Sequence, residues 1–210
     1  MAKKYKKIDS IEEVKDAPKK LRDKTVTIVG LGGTGSKVLD ILVRNGVSVR
    51  LIDRGRIKEA DMYRQTIFLE DDINRFKAKQ AKKRITEANS KASVKAFHEE
   101  LSEMTNYLLD SDLVVDSSGD EESSKEIMKY CDENDIPVIH TVLSGLKAHV
   151  IFCENKKESE KAIKKNYGLD KIPGFPTASS LASASIFNKI FKYFNEQDFD
   201  KESVIDSLDY

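Results

Sequence analysis

Short apolar runs alternate along the chain with longer stretches whose apolar positions recur at helical spacing. "TVTIVG" (25–30) is too brief for a helix and reads as a strand. "GSKVLDILVRNG" then carries Val38, Leu39, Leu42 and Val43 at helical spacing and ends in Asn45 and Gly46, a helix stop signal. "VSVRLID" (47–53) alternates like a strand and closes one strand-helix-strand unit. Further on, "NRFKAKQAKKRITEANS" predicts a helix with Ala78, Ala81, Ile85 and Ala88 on one stripe, followed by a strand in "ASVKAF". "LSEMTNYLLDS" predicts a helix, "DLVVDSS" a strand, "EESSKEIMKYCDEND" a helix and "IPVIHTVLSG" another strand. Strands separated by helices imply an α/β class, a Rossmann-like, doubly wound and mostly parallel sheet with helices on both faces, because each crossover must travel back over the sheet.

The ends are less regular. Ser10 with Glu13 has the spacing of a capping box and predicts a short outer helix that stops near Pro18. "KAHVIFCE" (147–154), after a turn at Gly145, predicts a strand on an antiparallel side of the sheet. Residues 155–172 read as a polar helix or a mobile crossover, and "TASSLASASIFNKIFKYF" as a small-residue segment that becomes an apolar helix through Ile186, Ile190, Phe191 and Phe194. The expected organisation is an N-terminal helical arm (1–24), a nucleotide-binding domain (25–194) and an acidic, weakly packed tail (195–210).

Charge narrows the function classes. Lys+Arg and Asp+Glu both total 36, so the zero net charge gives no electrostatic argument for nucleic acid or an anionic membrane. No apolar run approaches the roughly 20 residues that span a bilayer, and the opening "MAKKYKKIDS" lacks the apolar stretch of a signal peptide, so a cytoplasmic location is expected. Cys131 and Cys153 are the only cysteines, too few for a four-cysteine zinc site, and both are expected to be buried or half-buried thiols.

The candidate chemistry starts at the glycines. Gly30, Gly32 and Gly35, with Gly33 between them, have the spacing of a dinucleotide-binding turn, where missing side chains let backbone N–H groups approach phosphate at a helix N-terminus. Asp53 ends the next strand, where a carboxylate can hold a ribose hydroxyl pair. A nicotinamide cofactor and ATP both fit this much. Arg64 and Gln65 follow eleven and twelve residues after Asp53, with Lys77 thirteen beyond Arg64. A triphosphate requires such cations, since its charge must be neutralised beyond what a helix dipole supplies.

Taken together, "IVGLGGTGS", "LID", "ADMYRQ", "FKAKQA" and "LVVDSSGDEESSK" resemble the ThiF/MoeB/HesA family, relatives of the adenylation domain of ubiquitin-activating enzymes. The resemblance implies an ATP-dependent adenylyltransferase that activates the C-terminal glycine of a small ubiquitin-like sulfur carrier ending in Gly-Gly, and it implies a homodimer. It would assign Gly30, Gly32, Gly33 and Gly35 to the phosphates, Asp53 to the ribose, Arg64 and Lys77 to polyphosphate and transition state, and Gln65 to support of their loop. Asp120 would hold Mg2+, with Asp116 the second choice, because one inserted residue restores the family's aspartate pattern in "DSSGDEESSK". Asp61 also falls in the nucleotide loop, with Ala60 beside it, where the family has asparagine and serine; a carboxylate there repels a triphosphate unless it joins the metal site or shifts its pKa. Lys4, Tyr5 and Lys7 stand where the family's N-terminus carries an arginine for the partner subunit. No zinc-binding C-x-x-C pair is present. Three other functions compete: a degenerate scaffold that binds nucleotide or carrier without turnover, an NAD-dependent oxidoreductase, and a related family member that activates the carboxylate of a modified tRNA base, which the neutral net charge does not encourage.

Overall fold

The computed structural model describes residues 17–168 and 172–209. The capping pair Ser10 and Glu13 and the basic N-terminal residues Lys4 and Lys7, with Tyr5, lie outside the described residues.

Seven strands form one sheet in the order β3-β2-β1-β4-β5-β6-β7. β1 (Thr25–Val29), β2 (Ser48–Ile52), β3 (Val94–Phe97), β4 (Leu113–Asp116) and β5 (Val138–Ser144) run parallel, with Val29 opposite both Ile52 and Asp116. β6 (Lys147–Cys153) folds back antiparallel on β5 through a turn at Gly145, whose φ is +58°. The alternation of strand and helix therefore gives the doubly wound sheet, and the break in alternation after Gly145 gives its antiparallel margin.

Helices cover both faces. On one side α2 (Gly35–Arg44), α3 (Lys77–Ala88) and α6 (Pro176–Phe194) pack over Val26, Ile28, Leu51, Val115 and Ile139. On the other, Val29, Ile52, Val114 and Val138 meet α4 (Glu121–Glu133) through Ile127 and Cys131. α5 (Lys156–Tyr167) packs beside α4, so the helix alternative holds for Lys156–Tyr167. In α6 the small residues Ala178, Ser179, Ala182 and Ser183 lie buried on the same side as Ile186 and Ile190, which lets the helix approach α2 closely.

Four expectations change. The described helix α1 (Ala17–Arg22) runs through Pro18, which occupies its first turn, where a missing N–H costs nothing. The stripe of α3 is Ala78, Gln80, Ala81 and Ile85; Ala88, at the end of the helix, is exposed. Residues 101–111 form only a 3-10 turn at Asn106–Leu109. Residues 195–209 are more than a loose tail: β7 (Glu202–Asp206) pairs antiparallel with β6, burying Ile205, while Phe199 stacks edge-on against Phe152.

Candidate active site

The chain leaves β1 at the C-terminal edge of the parallel strands, where open α/β sheets carry their ligands. Gly30 has a φ of +88°, and a Cβ there would stand 2.5 Å from the Ser117 carbonyl oxygen. A Cβ at Gly35 would stand 2.0 Å from the Gly30 carbonyl oxygen. These two glycines are therefore fixed by space. Gly32 faces open space, and Gly33 lies beneath the Arg64 side chain, whose Cδ is 3.3 Å from where a Cβ would sit. The N–H groups of Gly32, Gly33 and Thr34 find no acceptor among the described residues. Successive unpaired N–H groups at a helix N-terminus form an anion-binding concavity.

Asp53 braces this turn. Its Oδ2 accepts the Leu31 N–H at 2.6 Å, and its Oδ1 accepts the Gly55 N–H at 2.6 Å. Each carboxylate oxygen has a second acceptor position, and Asp53 lines a cavity of about 230 Å³ together with Gly55, Ser118 and Asp120. A neighbouring cavity of about 300 Å³ is lined by Gly32, Gly33, Arg64, Thr141, Asn166 and Tyr167. Ser117 and Gly119 face the second cavity while Ser118 and Asp120 face the first, so one short stretch of chain lies between the two chambers.

The cations come from a loop that ends at α3. Asp61, buried at the end of the 3-10 turn Glu59–Asp61, gathers them. Its Oδ1 accepts Gln65 Nε2 at 2.7 Å and Arg64 Nη2 at 3.3 Å; its Oδ2 accepts the Lys58 N–H at 3.1 Å and lies 3.2 Å from Lys77 Nζ. Arg64 Nη1 also donates to the Tyr63 hydroxyl at 2.9 Å. Arg64, Gln65 and Lys77 are thus brought together as their order along the chain suggested. The carboxylate that looked repulsive to a phosphate is instead committed to both cations.

Asp116 and Asp120 take different roles. Asp116, at the end of β4, is buried; its Oδ2 contacts His140 Nδ1 at 2.9 Å and accepts the Ser124 hydroxyl, and its Oδ1 accepts the Ser118 N–H and hydroxyl at 3.1 and 2.7 Å. Burial alone would raise its pKa, but the His140 contact and the two serine hydroxyls outweigh it and hold the carboxyl below the usual aspartate value. Asp120 is the N-cap of α4, accepting the Ser123 N–H at 3.0 Å and the Ser123 hydroxyl at 2.7 Å. Of the two, Asp120 is the one that lines a cavity. Among the described residues no cluster of three His, Cys, Asp or Glu side chains is arranged to cage a metal.

Neither cysteine has the setting of a nucleophile. Cys131 in α4 and Cys153 at the end of β6 are both 1% exposed, and burial pushes each thiol up to about 12. The thiolate is the reactive form.

Several contributors were absent from the sequence reading. Lys37 on α2 touches both the glycine turn and the Arg64 loop, and Asn166 and Tyr167 at the end of α5 wall the larger cavity. Burial pushes the Tyr167 phenol up, and its hydroxyl stands 2.9 Å from Ser124 Oγ. Their positions along the chain carry no recognisable spacing, because α5 reaches the site only by folding over β5 and β6.

The sequence profile of the ThiF family matches residues 6–188. The sulfur carrier protein adenylyltransferase of Thermus thermophilus is 32% identical over 106 residues, covering 49% of this chain and 39% of that protein. The sulfur carrier protein ThiS adenylyltransferase of Escherichia coli is 28% identical over 127 residues, covering 59% and 51%. The tRNA threonylcarbamoyladenosine dehydratase of Bacillus subtilis is 29% identical over 132 residues, covering 61% and 52%. The chain therefore spans no more than about half the length of these curated relatives. Among solved structures, Escherichia coli MccB with AMPCPP and MccA superimposes with a TM-score of 0.78 at 20% identity, covering 98% of this chain and 72% of that one. PaaA superimposes with a TM-score of 0.74 at 20% identity, covering 92% and 73%. Those superpositions speak to the fold, and the profile match over most of the sequence identifies the chain as a member of the ThiF family.

Proposed function

We propose that this chain is an ATP-dependent adenylyltransferase that activates the C-terminal carboxylate of a small ubiquitin-like sulfur carrier ending in Gly-Gly, working as a homodimer. The observation that carries this reading is the convergence of Arg64 and Lys77 on Asp61, with the Arg64 side chain lying against Gly33 in a glycine turn that holds three unpaired N–H groups. An NAD site would not require two partly buried cations at that point. In the proposed reaction a carboxylate oxygen of the carrier attacks the α-phosphorus, the bond to the bridging oxygen breaks, and pyrophosphate leaves with the electron pair. The attacking group is already ionised, so no general base is needed. Catalysis then rests on orientation and charge stabilisation.

The two chambers suit a division of labour. Asp53 and its cavity would take the ribose side of ATP, and the larger cavity beside Arg64 would take the polyphosphate and the carrier's extended tail. Mg2+ is commonly bound through one or two carboxylates plus substrate phosphates, and Asp120 would take that role where the phosphate chain leaves the ribose-side cavity that it lines. Bound there, the ion would neutralise phosphate charge. Arg64 and Lys77 would shift part of their interaction from Asp61 to the nucleotide.

ATP–pyrophosphate exchange tests the proposal. Exchange dependent on a Gly-Gly-terminated carrier is the expected result; ATP binding without exchange, whichever carrier is supplied, would sink it. The latter outcome would favour a scaffold, a reading supported by Asp61 occupying both cations at once.

A further inference from the structure

We infer that Lys37 is a positioning residue for the nucleotide site, one that sets the peptide planes of the glycine turn and the base of Arg64. Its ammonium group has three donors, and each finds an acceptor in a different part of the chain. Nζ donates to the Gly33 carbonyl at 2.9 Å, the Arg64 carbonyl at 2.7 Å and Ser179 Oγ at 3.0 Å. Ser179 in turn donates to the Pro176 carbonyl at 2.9 Å, so its lone pair is directed to the lysine. One side chain on the first turn of α2 thereby ties together the glycine turn, the cation loop and the start of α6.

The consequence follows from the planarity of the peptide bond. In a trans peptide the N–H points opposite to the preceding carbonyl. Holding the Gly33 carbonyl towards Lys37 turns the Thr34 N–H the other way, and Thr34 lines the larger cavity. The same logic operates one residue earlier, where the Ser36 hydroxyl donates to the Gly32 carbonyl at 2.6 Å and so fixes the direction of the Gly33 N–H. Lys37 also fixes the Arg64 main chain, while Asp61 and Tyr63 hold its guanidinium. Burial, and after it the nearby Arg64 charge, hold the Lys37 pKa below the ordinary lysine value.

This inference rests on the adenylylation reading for its kinetic arm only. Lys37→Cys removes the ammonium and offers a thiol that 2-bromoethylamine converts to a near copy of lysine, while Cys131 and Cys153 stay protected by burial. In Lys37→Cys, exchange at saturating ATP should fall about 10- to 100-fold, with a smaller change in ATP affinity, as expected when orientation is lost. Aminoethylation should restore the rate, and alkylation with iodoacetamide should not. An unchanged rate, or a loss that aminoethylation leaves in place, would overturn the role of the ammonium. If the wild-type protein exchanges no pyrophosphate, the adenylylation reading fails, and amide hydrogen exchange of the nucleotide-free protein still decides the clamp. Faster exchange over residues 32–36 and 61–65 in Lys37→Cys, reversed by aminoethylation, supports it; identical exchange refutes it.

Discussion

Asp61 and Asp72 are the same device built twice in one loop, and they differ in how tightly they hold their cations. Each ends a short 3-10 turn, each accepts the N–H three residues back, and each takes the amide of a glutamine. Asp72 then receives Arg84 in a bidentate pair, Nε at 2.8 Å and Nη2 at 2.7 Å. Asp61 receives two cations through single contacts, at 3.3 Å from Arg64 and 3.2 Å from Lys77. The buried Oε1 of Gln65 beside it has no partner among the described residues. Fork-to-fork pairing is both stronger and geometrically closed. Asp72 therefore reads as an anchor for α3, and Asp61 as a holder from which Arg64 and Lys77 can be drawn by a stronger anion.

The sharpest way to break this contrast is Arg64→Ala. It should reduce pyrophosphate exchange by about 10²- to 10³-fold, the usual cost of one lost transition-state donor, with the thermal midpoint unchanged. Unchanged exchange would mean that the polyphosphate lies elsewhere. Next in size, Asp72→Asn should cost about 2 kcal/mol in urea denaturation, because it takes the charge from a buried carboxylate that holds a bidentate arginine, and activity per folded molecule should persist. The pH dependence has a definite sign. Burial would raise the Asp72 pKa, but the Arg84 hydrogen bonds outweigh it and hold the carboxyl below its ordinary value of 3.8. The folded state thus binds this proton more weakly than the unfolded chain, and the contribution is present above pH 3.8 and lost as pH falls through the lowered value. In Asp72→Asn that segment of the acid stability curve should flatten.

Asp61→Asn should do less to stability and more to binding. Removing the charge leaves Arg64 and Lys77 less occupied, so ATP should bind about three- to tenfold tighter by calorimetry, the scale of one screened charge interaction. Weaker binding would show that Asp61 orders the cations more than it competes for them. Smallest of all, Cys153→Ala should leave exchange at the wild-type rate. A large loss would return the thiol to consideration despite its burial.

Much of this was readable before folding. The strand at 25–29, the α2 stripe and the stop at Asn45 and Gly46, which has φ +89°, follow from local pattern alone. Residues 101–111 misled because local bonds compete with a helix: the Thr105 hydroxyl donates to the Glu100 carbonyl and accepts the Ser102 N–H. β7 escaped notice because its order comes from pairing with β6, about fifty residues away in sequence. The site divides the same way. Glycines, Arg64 and Lys77 stand at telling intervals, whereas Lys37 acquires meaning only when Arg64 and Ser179 arrive beside it, from 27 and 142 positions away.

The attachment of α6 to the glycine turn has a consequence for synthesis. Ser179 accepts from Lys37, and Ser183 donates to the Thr34 carbonyl at 3.1 Å, so two braces of a turn near the start of the sheet lie in the last fifth of the chain. Domains emerge from the ribosome N-terminal end first. The parallel strands can assemble early, but the glycine turn gains these braces only after α6 has been released. A nascent chain is a sheet before its candidate site is complete.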